Sequence, residues 1–277
     1  MFSAEFMRNA LLAGTFIALA CGVSGWFVVL RGQVFAGDAL SHVAFPGALA
    51  AAAAGIDQRI GLFAATILAG GAIGVLGRGA LAARDGRPAG ASGAEDTTIG
   101  TVFTLILGVG LFFLTLLNTS GAGRSGIQGA RTLFGSVFGL SGGEAWLAAG
   151  VAIAALLLTA AIARPLLFAS VFPDVAAARG VRTRLLSTAF AALLGVVAAE
   201  ATQAVGALLL LGLLAAPAAA AHRVTTAPFA GLALACALAL AATWAGLTLA
   251  YALPWMPPST AVVVIAVGLY YASLRLA

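Results

Sequence analysis

Apolar stretches about 20 residues long follow one another almost from end to end of this chain, and that length is what a helix needs to cross a bilayer. They run over residues 10–30, 35–55, 60–82, 98–118, 144–163, 185–200, 205–221, 228–253 and 259–274, which makes about nine spans, the shorter ones open to partial insertion. Composition agrees: 62% of the 277 residues are hydrophobic and 8% charged, with mean hydropathy +1.09. A soluble domain carries about 25% charged residues. Too little polar surface remains here to cover a particle in water, so lipid must be the solvent. The expected fold is all-α, a polytopic transmembrane bundle of about eight to nine spans forming one domain over residues 1–277, with the lipid bilayer as its surroundings.

The first stretch follows Arg8 and passes Ala20-Cys21, which resembles a secretory or lipoprotein leader. Its apolar character continues to Leu30, too far for the core of such a leader, so it reads as a span. Segment 127–140 is short and amphipathic and reads as an interfacial or re-entrant helix. The polar linker 84–96, rich in Gly and Ala, reads as a flexible loop. Gly70 and Gly74 form a G-x-x-x-G pair, with Gly77 following, and are expected to let helix backbones approach closely.

All 14 basic residues are arginine, and the net charge is +5. Such a charge can signal nucleic acid, but these arginines lie between apolar stretches, as membrane topology requires, so no nucleic acid is expected. Arg31, Arg78, Arg84, Arg87, Arg164, Arg179, Arg182, Arg184, Arg223 and Arg275 fall on one side of a nine-span arrangement, which is then the cytoplasm. Arg8, Arg59, Arg124 and Arg131 fall outside. The absence of lysine excludes a phosphate-binding loop of the G-x-x-x-x-G-K-[ST] type. Any ATP hydrolysis linked to this chain must occur on another polypeptide. Cys21 and Cys236 lie within spans and suggest no disulfide framework.

Ionisable side chains inside spans are costly and tend to mark a path or a site. Asp38 and His42 are four residues apart, so a helix stacks them on one face. A carboxylate oxygen with an imidazole nitrogen suits a divalent transition metal. Pro46 follows on the same stretch and deprives a backbone carbonyl of its helical partner. The alternative is an intrahelical hydrogen bond that merely satisfies both groups. Glu200, with Thr202 and Gln203, reads as a solvated cap between two helices, and His222-Arg223 as a cytoplasmic anchor. No hydrolytic triad can be assembled around the two histidines.

The basic connection near 164–184 differs from the other loops. Pro173 and Asp174 open a short helix-forming run, and Arg179-Gly180 closes it. This is a plausible docking element for a partner, or an ordinary charged loop.

Three stretches resemble the membrane permeases of bacterial zinc, manganese and iron ABC importers. They are Phe35-Ala36-Gly37-Asp38-Ala39-Leu40-Ser41-His42 with Pro46-Gly47, then Glu95-Asp96-Thr97-Thr98-Ile99-Gly100, then Val205-Gly206-Ala207-Leu208-Leu209-Leu210 with Leu214 and Pro217-Ala218-Ala219-Ala220. Leu133-Phe134-Gly135 and the 173–180 loop fall in the family's order. The resemblance implies a non-enzymatic permease of the bacterial inner membrane that imports divalent metal, zinc foremost with manganese and iron as alternatives. It implies no permanently bound cofactor. It implies cytoplasmic ATPase subunits, an extracytoplasmic metal-binding protein and a second permease copy as partners. It places the metal path at Asp38 and His42 and ATPase docking on the loop of Pro173, Asp174, Arg179 and Gly180. Rival readings are an ion-coupled secondary transporter, which should show internal repeats, and an intramembrane enzyme using the Asp/His pair.

Overall fold

The computed structural model describes residues 4–82, 92–119, 137–207, 210–253 and 255–275. The expected helix at 127–140 falls largely outside these residues, as do Leu133-Phe134-Gly135, Arg84, Arg87, Arg124, Arg131 and most of the 84–96 linker. The side chains of Arg78, Glu95 and Asp96 are likewise outside the description.

Every regular element among the described residues is helical. In order they are α1 (Glu5–Leu30), α2 (Val34–Ala53), α3 (Gln58–Ala82), α4 (Ser92–Thr119), a 3-10 turn (Val137–Gly139), α5 (Gly142–Val171), α6 (Pro173–Ala178), α7 (Thr183–Val205), α8 (Leu210–Val224), α9 (Pro228–Ala252) and α10 (Pro258–Ser273). Seven are long and apolar enough to cross a membrane by length and composition, while α8 and α10 are shorter apolar helices. Together they account for every stretch read from the sequence. With 15 and 16 residues, α8 and α10 reach only about 22–24 Å at 1.5 Å per residue.

Several boundaries depart from the sequence reading: α4 begins at Ser92 rather than 98, α7 runs on to Val205 rather than 200, and α8 begins at Leu210 rather than 205. The first helix begins at Glu5 rather than Ala10, because polar residues near a helix end can still complete its hydrogen bonds. The fifth continues through Arg164 and Pro165 to Val171, so α5 leads directly into α6. Its N-terminus is a capping box: the Ser141 hydroxyl accepts from the Glu144 amide, and the Glu144 carboxylate accepts from the Ser141 amide.

The bundle is built around α1, whose second half is buried nearly all round, with α5, α7, α8 and α9 packed on it. On one flank α2, α3, α4 and α7 form a subgroup held by small residues. Gly70 and Gly74 sit against α7: a Cβ at Gly70 would strike the Ala191 carbonyl, and one at Gly74 would lie 2.6 Å from the Thr188 Cα. This is the close packing expected of the G-x-x-x-G pair. Gly47 of α2 and Gly61 of α3 meet in the same way, each against the other's carbonyl. Gly70→Leu should therefore force α3 off α7, costing about 1–3 kcal/mol or more. The expected result is a clear drop in detergent-extracted folded protein in a thermal-shift measurement.

Candidate functional site

The α2 helix starts after Gln33 and runs unbroken through Pro46. Buried Ala36, Leu40 and Val43 turn one face into the core. One turn apart on the other side, Asp38 and His42 bring Oδ1 and Nε2 to 4.0 Å, with side chains 33% and 24% exposed. They are half-buried, open enough for a further ligand to reach them. Ligand atoms each about 2.1 Å from one ion stand roughly 3.0–3.4 Å apart at right or tetrahedral angles, so side-chain rotation must close this pair by about half an ångström or more for it to share a cation.

The neighbours of this pair were not legible in the sequence. The His42 ring lies 5.8 Å from the Phe103 ring of α4. Between the two residues, buried Ser41 brings its hydroxyl within donating distance of the Asp38 carbonyl at 2.6 Å and the Ala207 carbonyl at 3.0 Å. Ala207 belongs to the turn after α7, where Gly206 has φ 95°, a left-handed value that suits glycine. The proline within the helix adds one more group: Pro46 has no N–H, so the His42 carbonyl loses its i+4 donor. Gly110 of α4 makes room for this proline, since a Cβ there would lie 2.6 Å from the Pro46 Cγ.

Among the described residues no group of three or more His, Cys, Asp or Glu could hold a metal. One chain thus offers two side-chain ligands, and water, backbone or another chain would have to complete a coordination shell.

Glu200 corrects the sequence reading. It is 2% exposed rather than a solvated cap, and its Oε1 accepts from Arg59 Nη2 at 3.2 Å. Arg59 lies in the first turn of α3, where its own amide donates to the Asp57 carboxylate at 2.7 Å. Sequence proximity could not show this, because the partners are 141 residues apart. The pair also accounts for one arginine on the wrong side of the charge bias: Arg59 serves a buried carboxylate rather than anchoring a loop. His222 differs too. Its ring stacks on Trp26 at 4.9 Å and its Nε2 lies 3.0 Å from the Trp26 carbonyl, joining α8 to α1. Only Arg223 keeps the exposed position of an anchor.

The short helix expected at 173–180 is present as α6. Pro173 occupies its first turn, where no intrahelical N–H is needed. Asp174 lies in the same turn, on the favourable side of the helix dipole. The helix closes as the amides of Arg179, Gly180 and Val181 bond to the carbonyls of Val175, Ala177 and Ala176, with Gly180 at φ 81°. Ala176 is buried as its single root, while Phe172 and Val175 are 57% and 48% exposed. Asp174 and Arg179 are exposed beside them. The result is a small apolar knob rimmed by charges of both signs.

Residues 3–277 match the ABC 3 transport family. The chain is 29% identical to a manganese import system permease protein, ScaB, of Streptococcus parasanguinis, over 90% of this chain and 83% of that protein. It is also 29% identical to a manganese transport system membrane protein, MntC, of Halalkalibacterium halodurans, over 81% and 72%. Its fold is similar to a chain in the structure of PsaBC from Streptococcus pneumoniae in complex with Fab, with TM-score 0.80 and 25% identity, covering 98% of this chain and 91% of that one. The chain belongs to the ABC 3 transport family and is a multi-pass permease of the bacterial inner membrane.

Proposed function

We propose that this permease imports a divalent transition-metal ion, manganese foremost, along a path past Asp38 and His42, with ATP hydrolysed by a cytoplasmic partner docked on α6. The observation that carries the reading is the partly exposed Asp38–His42 pair at 4.0 Å on one face of α2. Glu200, an acidic group buried deep in the bundle, has an arginine partner. Asp38 faces a histidine instead, which leaves its charge available to a cation. One oxygen and one nitrogen suit zinc, manganese and iron alike. The preference for manganese over zinc rests on the relatives, which are named for manganese transport.

A second permease copy completes the path. Each copy contributes two ligand side chains, and two pairs meeting across an axis would supply four. The pairing surface in this reading is the outward face of α4, where Thr97, Gly100, Thr101, Thr104 and Gly108 alternate with the exposed apolar Leu105, Val109 and Phe112. Small residues and hydroxyls are what helices use to approach one another in lipid. A binding protein on the outer side delivers the ion. The site must hold that ion loosely enough to release it, and a sparse shell of side chains does so.

The knob of α6 is the docking element, and its charged rim leaves a cytoplasmic surface suited to a soluble subunit. Cells carrying the permease with its ATPase and binding protein should accumulate manganese in preference to zinc and iron. Val175→Asp, which places a charge on the exposed knob without touching the core, should abolish ATPase co-purification and manganese uptake together. Normal uptake in that variant refutes docking at α6, and uptake independent of any ATPase refutes the ATP-driven reading in favour of an ion-coupled transporter.

A further inference from the structure

Arg31 follows the last residue of α1 and reaches three helices at once. Its Nε donates to Gln33 Oε1 at 3.0 Å, Nη1 to the Ser170 hydroxyl at 3.0 Å and Nη2 to the Ser187 hydroxyl at 3.0 Å. The guanidinium carbon also stands 5.7 Å from the centre of the Phe190 ring. These contacts are not needed to finish α1. The amides of Arg31, Gly32 and Gln33 already bond to the carbonyls of Phe27, Val29 and Val28.

The acceptors occupy particular places in the fold. Ser170 is in the last turn of α5, just ahead of α6, and Ser187 is in the first turns of α7, just after it. Arg31 thus holds both roots of the segment that carries α6. Gln33 is the N-cap of α2, a little over one turn before Asp38. One planar cation therefore connects the base of the α6 segment to the end of the helix bearing the Asp38–His42 pair. A narrow crevice between α2, α3 and α7, lined by Gln33, Ala36, Leu40, Ile73, Gly74 and Ser187, lies directly beside this junction.

We propose that Arg31 is a coupling residue, which transmits displacement of α6 to α2 and so sets when the Asp38–His42 pair is open to the cytoplasm. This rests on the ATP-driven reading above. The guanidinium suits the task because its nitrogens point in fixed directions from a rigid plane, so a shift of either serine turns the whole fork and with it Gln33. A lysine could carry the charge but not the geometry.

The test compares Arg31→Lys, Arg31→Ala and the double variant Ser170→Ala/Ser187→Ala in the assembled importer reconstituted in liposomes. Manganese uptake and ATP hydrolysis are measured on the same preparation. The expected result is retained membrane level, retained ATPase and basal hydrolysis, and a fall of about 10-fold or more in manganese moved per ATP hydrolysed. Stimulation of hydrolysis by the metal-loaded binding protein should disappear with it. A purely structural role would instead lower uptake and hydrolysis in proportion, through loss of protein. An unchanged ratio in Arg31→Lys and in the serine pair overturns the inference, as does loss of all three variants from the membrane. Uptake by the parent protein that needs no ATP would overturn the ATP-driven reading itself, which separates the two failures.

Discussion

Asp38→Ala and His42→Ala should each lower manganese uptake by about 100-fold or more, while the protein reaches the membrane at its normal level. The size of the effect follows from the role proposed for the pair. Even outer-shell partners of a metal ligand are worth about 10–100-fold, and these side chains would touch the ion itself. The stability side is small for physical reasons. Both groups are half-buried, and their 4.0 Å contact is an (i, i+4) pair of a kind worth about 0.5 kcal/mol or less. The buried face of α2, with Ala36, Leu40 and Val43, is untouched by either change. Transport and folding should therefore separate cleanly. Radioactive manganese uptake normalised to immunodetected permease is the measurement, and undiminished uptake in both variants would falsify the proposed path.

Arg59→Ala should have the largest effect on stability. It leaves the Glu200 carboxylate, 2% exposed, without its cation, and removing one partner of a buried pair costs about 3–5 kcal/mol. The converse change is milder. Arg59 is 23% exposed at its side chain and can turn its charge toward the membrane surface, as long basic side chains do. Glu200→Gln should thus be tolerated better than Arg59→Ala. The double variant Arg59→Met/Glu200→Leu should recover much of the loss, since replacing both partners by apolar groups leaves no stranded charge. Thermal unfolding in detergent would show this order. A melting temperature in Arg59→Ala equal to that of the parent would mean that the pair contributes nothing to holding α3 against α7.

Several parts of this protein are legible in its amino-acid sequence. The apolar stretches mark the nine apolar helices of the described residues because a bilayer demands about 20 consecutive apolar residues and tolerates few charges. Asp38 and His42 stand out for the same reason, as the exceptions within a span. Gly70 and Gly74 predict a close helix contact, and α7 supplies it. Pro173 and Gly180 bracket α6, since proline at a first turn and glycine past a last one act through local backbone geometry. The misreadings share a cause. Glu200 and His222 lie near helix ends, where solvent or lipid headgroups are the default neighbours, yet each meets a residue far away in the chain. The partner of Glu200 is 141 positions distant and that of His222 is 196.

The amino-acid pattern alone therefore determined that this chain lives in a membrane, which apolar helices it forms and where its acid–imidazole pair stands, because each of these follows from residues within a few turns of one another. Only the tertiary structure decided what faces what. It placed Phe103 beside His42 and the Ala207 carbonyl on the Ser41 hydroxyl, gave Glu200 its arginine, and gathered Ser170, Ser187 and Gln33 around Arg31. In lipid every span is apolar on most faces, so periodicity carries little information about which face turns inward. The close approach of small residues and the need to satisfy each buried polar group select the arrangement.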